Sequence, residues 1–147
     1  MPEPLLTTPM TDEQRKAVAL AYFTRMDSGR DFLSLFANDA YVCFPKHKPA
    51  HGITRIQGLF TDIAVRIARM THHTPYFNSV VAGDVVVVEG FTSGELVDGS
   101  SWQGAYDLGG RFCNVFEIRD GLIQRLNVYL DPDYTAADKQ RYPWLHG

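Results

Sequence analysis

Apolar positions in the first part of the chain recur at helical spacing. Val18, Tyr22 and Met26 are four residues apart, which predicts an amphipathic helix with one buried stripe. Residues 11–14 have the capping-box pattern, in which the first and last side chains bond each other's backbone amides, and this pattern marks the helix start. Gly29 is typical of the left-handed residue that follows a helix. We therefore expect one helix between these two signals.

Two further helices and a short strand are predicted before residue 70. Clustered apolar residues favour a short second helix at 32–36. Residues 41–44 form a short apolar run, which predicts a strand that Pro45 stops because proline has no amide to donate. A polar loop at 46–52 follows. Apolar residues then keep close to helical spacing over 53–67, which predicts the third helix.

From residue 71 the period of the apolar pattern changes to two. Four longer strands are predicted at residues 71–82, 85–97, 101–118 and 122–130. Gly109 and Gly110 suggest a bulge or bend within the third of them. Helices followed by consecutive hairpins predict an α+β fold, with three N-terminal helices packed on one face of a mainly antiparallel sheet.

Strand alternation identifies one apolar face with a polar exception. Leu126 and Val128 share a face of the last strand, and Phe112 and Phe116 share a face of the strand before it. Asn114 lies on that same face, between the two aromatic residues. An unpaired amide in apolar surroundings costs about 1–3 kcal/mol. We therefore expect the Asn114 side chain to bond to protein, to water or to a ligand.

Glu89 is a second exception. It shares a strand face with Val85, Val87 and Phe91. If that face is buried, desolvation raises the pKa of the carboxyl group toward neutrality, as a general base requires. The alternative is that the face meets solvent or a partner subunit, with Glu89 paired to an arginine.

Histidine and cysteine give no metal-binding pattern. His72 and His73 are adjacent on a predicted strand, so they point to opposite faces and at most one can line a pocket. The sequence has no HExxH, EF-hand or cysteine ligand cluster, so we expect no metal. It also lacks the GxSxG, GxxxxGK[ST] and GxGxxG motifs of hydrolases and nucleotide-binding proteins, so we expect no cofactor.

Composition restricts the partners and the compartment. The chain has 147 residues, which fits one domain, and its net charge of −3 without a basic patch argues against nucleic-acid binding. No apolar run approaches the roughly 20 residues of a membrane span, and the N-terminus has no signal-peptide pattern. The two cysteines, Cys43 and Cys113, are far apart and form no CxxC motif. We expect a reduced, cytoplasmic protein.

Several segments together resemble the nuclear transport factor 2-like superfamily, which includes SnoaL-like polyketide cyclases and ketosteroid isomerases. They are the stretch FANDAYVCFP at 36–45, Gly52 before the third helix, and the closing FEIRDGLI at 116–123 with Tyr-Leu-Asp at 129–131. The resemblance covers residues 11–135 and leaves 1–10 and 136–147 as terminal arms. It implies a cone-shaped α+β half-barrel that holds a ligand cavity and forms a homodimer through the outer sheet face.

The resemblance also implies roles for individual residues. Tyr22 precedes Gly29 by seven residues, where ketosteroid isomerases place the tyrosine that donates to the oxyanion. Asn114 aligns with the second oxyanion donor, a protonated aspartic acid in those enzymes, and an amide can still donate. The general base of the isomerases belongs just before the proline of the second motif. Phe44, before Pro45, occupies that position, so the isomerase base is absent.

These features imply an acid–base enzyme without a cofactor, an isomerase, cyclase or dehydratase acting on an apolar carbonyl compound. Tyr22 and Asn114 polarise the carbonyl, and His73, or else His72 or Glu89, moves the proton; scytalone dehydratase similarly uses tyrosine, histidine and asparagine. The expected substrate-binding residues are Phe44, Phe60, Phe91, Phe112, Phe116, Leu126 and Val128. The alternative is a non-catalytic module of the same fold that binds a small molecule or dimerises.

Overall fold

The computed structural model describes residues 9–146 and confirms the α+β class. The elements are α1 (Asp12–Asp27), β1 (Phe36–Cys43), β2 (Ala50–His51), α2 (Ile53–Ala64), β3 (Ile67–His72), β4 (Asn78–Ala82), β5 (Val85–Leu96), β6 (Ser101–Gln103), β7 (Arg111–Arg119) and β8 (Leu122–Leu130). Within this range, neither helix is long and apolar enough to cross a membrane. Most of the predicted N-terminal arm, residues 1–8, lies outside the described residues. The domain limits 11–135 stay a prediction.

The strands form one sheet in the order β2-β1-β8-β7-β5-β3, with β4 and β6 also paired to β5. The pairings in the described part of the chain are antiparallel, as predicted, except that β1 runs parallel to β8. The first part of β5, Val85–Phe91, pairs with β7, whereas Thr92–Leu96 pairs with β3. The strand β5 thus pairs with different strands along its two parts. The helices α1 and α2 pack against the sheet.

The capping box at the start of α1 is present as predicted. The Gln14 amide donates to Thr11 Oγ1 at 3.1 Å, and the Thr11 amide donates to Gln14 Oε1 at 2.9 Å. Gly29, with φ of 69°, follows the helix end. Tyr22 is buried on the inner face, where its ring meets Phe116 edge-on with centroids 5.4 Å apart. The helix therefore presents Tyr22 to the inner face of the sheet.

The prediction of three helices is wrong. Residues 32–36 form only a 3₁₀ turn, Leu33–Leu35, and β1 begins at Phe36, which pairs with Ile123 of β8. The last predicted helix ends at Ala64, and Ile67 starts β3 opposite Leu96. In both places strand pairing competes with a short apolar run whose periodicity fits either structure.

Two of the long predicted strands are interrupted. The segment 71–82 is β3 and β4 separated by a 3₁₀ turn that contains Pro75, which cannot donate to a ladder. The segment 101–118 is β6 and β7 separated by residues 104–110. Across that gap the Gly104 amide donates to the Thr92 carbonyl at 2.8 Å. The interruption therefore stays packed against β5.

Candidate active site

A cavity of about 50 Å³ lies between the two helices and the inner face of the sheet. This volume holds a water or a small polar group, because a single water needs roughly 10–15 Å³ on this kind of measure. Its walls combine aromatic and aliphatic side chains with a few polar ones. The lining residues are Tyr22, Met26, Phe44, Phe60, Ile63, Met70, His72, Thr92, Gly110, Phe112, Asn114, Val128, Leu130 and Tyr134.

His72 and Asp27 form a hydrogen-bonded pair at this cavity. His72 is the last residue of β3, and Asp27 is the last residue of α1. The His72 Nδ1 lies 2.7 Å from Asp27 Oδ1, and the His72 backbone amide donates to Asp27 Oδ2, also at 2.7 Å. Because a carboxylate only accepts, the ring hydrogen sits on Nδ1 and Nε2 is the nitrogen that can take a proton. The two bonds fix both the tautomer and the ring orientation.

The imidazole of this pair is largely shielded from solvent. Only 8% of the His72 side chain and 19% of the Asp27 side chain are exposed. The His72 ring packs against Phe23 and Phe112, with centroid distances of 4.9 and 5.5 Å. The imidazole is therefore held against aromatic side chains, whereas Asp27 also reaches the surface.

Tyr22 supplies a neutral phenol to the same cavity. Burial raises the pKa of its hydroxyl far above the ordinary value, and nearby Tyr134 and Asp27 raise it further. Aromatic rings surround it, including Phe32 and Phe36 with centroids 5.9 and 6.1 Å away. A phenol in this setting stays protonated and acts as a hydrogen-bond donor.

Asn114 places an amide on the opposite wall, on β7 between Phe112 and Phe116. Its side chain is buried, with 3% of the residue exposed. Within residues 9–146, its Oδ1 is the one buried side-chain polar atom without a hydrogen-bond partner. The sequence left protein, water and a ligand open as partners of the Asn114 side chain. Its Oδ1 atom bonds to no protein group in the described residues. A free acceptor at a cavity wall suits a ligand that brings a donor.

The structure brings two of the predicted catalytic residues, Tyr22 and Asn114, to one cavity and leaves two elsewhere. His73 bonds Ser93 Oγ through Nε2 at 2.8 Å and packs on Phe91, away from the cavity. Glu89 is exposed, not buried, and accepts from Asn78 Nδ2 at 3.1 Å instead of pairing with an arginine. Alternation along β3 explains the first difference, since only one of the two adjacent histidines can face inward.

The predicted substrate-binding residues divide in the same way. Phe44, Phe60, Phe112 and Val128 line the cavity. Phe116 and Leu126 are fully buried in the core behind it. Phe91 stacks with Tyr76 on the other face of β5, with centroids 5.6 Å apart.

No role was predicted from sequence for Asp27, the partner of His72, or for Tyr134, which lines the cavity. Asp27 is an acidic residue at the C-terminus of α1, where it opposes the helix dipole, and this is a signal of another role. Tyr134 follows β8 in irregular chain and stacks on Trp102. Tyr134 belongs to no helix or strand, so the periodic pattern of apolar residues does not predict its burial. In the described range, no group of three or more histidine, cysteine or acidic residues is placed to hold a metal ion.

A second, outer cavity of about 150 Å³ adjoins the first. Both cavities are lined by Phe44, Ile63 and Tyr134. The other residues of the outer cavity are Pro45, Lys46, His47, Asp62, Arg66, Ile67, Leu96 and Pro132. The inner and outer compartments, as we call them, thus share one wall of three side chains.

The chain has no match among family models or curated protein sequences. Solved structures are similar to it. A nuclear transport factor 2-like protein of unknown function from Burkholderia pseudomallei is 15% identical with a TM-score of 0.70, over 87% of this chain and 100% of the other. A protein named as a SnoaL-like polyketide cyclase from Jannaschia is 14% identical with a TM-score of 0.69, over 89% and 99%. TerC, co-crystallised with polyporic acid, is 17% identical with a TM-score of 0.66, over 80% and 92%.

Proposed function

We propose that this chain, which has the nuclear transport factor 2-like fold, is an acid–base enzyme that works without a cofactor on a small, largely apolar carbonyl compound. The observation that carries the proposal is the His72–Asp27 pair, which lies at the same cavity as Tyr22 and Asn114. These four residues come from α1, β3 and β7, so only the folded chain brings them together.

His72 is the group that moves the proton. Asp27 holds the hydrogen on Nδ1, so Nε2 takes a proton from the substrate carbon beside the carbonyl, and the electron pair moves onto the carbonyl oxygen. The Asp27 carboxylate then stabilises the imidazolium that forms. Positioned acid–base catalysis of this kind contributes about 10²–10⁴-fold to a rate.

Tyr22 donates a hydrogen bond to the carbonyl oxygen as it becomes negative, and burial makes that bond stronger than in water. The Asn114 amide NH₂ can donate to a substrate oxygen, and Oδ1 accepts from a substrate hydroxyl. The imidazolium returns its proton to another carbon in an isomerase. In a dehydratase it protonates the leaving hydroxyl, which departs as water. In a cyclase the enolate carbon attacks a second carbonyl within the substrate, and the imidazolium protonates the alkoxide that forms.

The similar structures support a substrate with oxygenated rings. One is named as a polyketide cyclase, and TerC was crystallised with polyporic acid. These facts concern those proteins, and at 14–17% identity they leave the reaction of this chain to experiment.

The test is a substrate screen followed by a pair of matched variants. The purified protein is incubated with ketosteroids, small polyketides and hydroxynaphthalenes, and products are detected by mass spectrometry and chromatography. On the substrate found, His72→Gln is expected to lower kcat by about 10²–10⁴-fold. Asp27→Asn lowers it through the wrong tautomer, whereas His73→Gln, one residue away on the other face, has little effect. Loss of turnover with His73→Gln and not with His72→Gln contradicts the assignment.

A non-catalytic binding or dimerisation module is the second candidate. The small inner cavity favours it, as does an outer sheet face that carries the half-buried Val87, Cys113 and Val115 and the exposed Tyr129. We propose that this face forms a homodimer. A module of this kind is stabilised by a ligand that returns unchanged, and analytical ultracentrifugation gives its mass. A monomeric mass at high concentration rules out the dimer. The cytoplasmic location of the protein stays a prediction.

A further inference from the structure

Tyr134 differs from the other two residues of the shared wall. Ile63 lies on α2, and Phe44 is the residue directly after β1, so each is positioned by a neighbouring helix or strand. Tyr134 belongs to irregular chain after β8, yet only 7% of it is exposed. Because no helix or strand holds Tyr134, its burial depends on packing against other residues.

The main packing partner of the Tyr134 ring is Trp102. The Tyr134 ring stacks on the Trp102 indole with centroids 4.7 Å apart and planes 23° apart. Trp102 is itself fully buried and donates from Nε1 to Thr92 Oγ1 at 2.9 Å. The Tyr134 backbone packs so closely on Gly109 that a Cβ there would collide with the Tyr134 carbonyl oxygen. Tyr134 is therefore packed on Trp102 and Gly109 where the two compartments adjoin.

The sizes of the two compartments make this position important for binding. A cavity of about 150 Å³ is enough for one benzene ring. The outer compartment, at about 150 Å³, has that size, whereas the inner one, at about 50 Å³, does not. A ligand that reaches Tyr22, His72 and Asn114 with a ring must therefore displace part of the wall.

The Tyr134 hydroxyl also has the properties of a binding group. Burial raises its pKa to about 12, so it stays a donor at neutral pH. Tyr134 and Tyr22 both line the inner compartment, and Tyr134 raises the pKa of the Tyr22 hydroxyl. Tyr134 thus lines both compartments, and the inner one is also lined by Tyr22, His72 and Asn114.

We infer that Tyr134 contacts the substrate and determines its length, because the substrate passes Tyr134 to occupy both compartments. The substrate class is a molecule with two ring-sized parts, an oxygenated one that displaces part of the wall to enter the inner compartment and an apolar one in the outer compartment. The assignment of the inner end as the reacting end rests on the proposed function. The division of the binding space by Tyr134 does not.

Binding of two phenols tests this inference without turnover. Phenol has one ring, and 4-phenylphenol has two rings and the same hydroxyl. Dissociation constants are measured by titration calorimetry for the wild type, Tyr134→Ala and Tyr134→Phe. Tyr106→Ala is the matched control, since Tyr106 is 87% exposed and lines neither compartment. Near-UV circular dichroism checks folding, and Tyr134→Leu replaces the alanine variant if that variant is unfolded.

Removing the Tyr134 ring is expected to favour 4-phenylphenol over phenol by about tenfold or more, since even one methylene in an apolar pocket is worth about tenfold. Tyr134→Phe keeps the wall, and Tyr106→Ala does not touch it, so both preserve the wild-type ratio. In NMR spectra, 4-phenylphenol should shift the Asn114 side-chain amide and the Leu96 backbone amide together.

An unchanged ratio in the alanine and leucine variants overturns the inference, as does a 4-phenylphenol signal at Leu96 alone. The proposed function fails by a different result, which is the absence of product or an unaffected His72→Gln variant. A changed ratio without any product would therefore reject the enzyme and keep the two-compartment site.

Discussion

Replacing Asn114 with leucine is expected to stabilise the protein and to abolish its proposed activity. The Oδ1 atom of Asn114 is buried and unpaired within residues 9–146. Leaving a buried polar group unpaired costs about 1–3 kcal/mol, and an apolar side chain of similar volume avoids that cost. The neighbours of Asn114 on its strand face, Phe112 and Phe116, are apolar and suit leucine. Since about 1 kcal/mol moves Tm by roughly 2–4 °C in a domain of this size, the increase is measurable.

Urea unfolding and thermal unfolding measure the stability, and turnover of the screened substrate measures the activity. Val128→Leu is the matched control, because Val128 lies directly opposite Asn114 on β8 and lines the same cavity. It adds one methylene, worth about 0.8 kcal/mol of burial, without removing a polar group. The gain from Asn114→Leu should therefore exceed the gain from the control.

A lower Tm for Asn114→Leu than for the wild type would refute this reasoning. It would mean that water or an altered side-chain position satisfies the amide and that Asn114 serves the fold. Higher stability with full activity would contradict the proposed role of Asn114, because the amide would then have no part in the reaction. The expected combination of higher stability and lost function is the usual sign of a residue kept for chemistry.

Three further predictions concern stability. Thr11→Ala removes the N-cap bond of α1 and should cost about 1 kcal/mol in urea unfolding; an unchanged midpoint would show that the cap is not formed in solution. Gly94→Ala should lower Tm by overpacking worth about 1–3 kcal/mol, because the new Cβ meets the Trp102 indole and the Arg69 carbonyl; a Tm equal to that of the wild type contradicts the close packing. The hydrogen bond that His47 donates to Asp62 raises the pKa of His47, so this pair stabilises the fold fully below about pH 6.5 and loses its effect as the pH rises through the raised value. Asp62→Asn should therefore lower Tm at pH 5.5 and not at pH 9, and equal losses at both values would exclude the linkage.

Local signals predicted the parts of the fold that local chemistry determines. The capping box at Thr11 and the left-handed Gly29 after the helix each need only a few neighbouring residues, and both appear as predicted. The prediction of a second helix was wrong because the structure of this segment depends on a distant contact. A run of four apolar residues fits a helix or a strand equally well, and the pairing of Phe36 with β8, far along the chain, decided for the strand.

The candidate site was harder to predict because it depends on the phase of a strand. A shift of one residue exchanges the inward face for the outward face, so the sequence could say that at most one of His72 and His73 lines a pocket, and it favoured His73 where the structure has His72 at the cavity. The contact between Asp27 and His72 joins residues 45 positions apart. Tyr134 has no periodic pattern at all, since its burial depends on a tryptophan in another segment.

The stack of Tyr134 on Trp102 also gives the protein a built-in optical reporter. The chain has two tryptophans, Trp102 at 1% exposure and Trp144 at 76%. Iodide in solution quenches the emission of the exposed indole and leaves that of the buried one. The remaining fluorescence comes from the indole against which Tyr134 rests. Any molecule that moves Tyr134 will change this emission, so unlabelled compounds can be titrated in ordinary cuvettes before their chemistry is known.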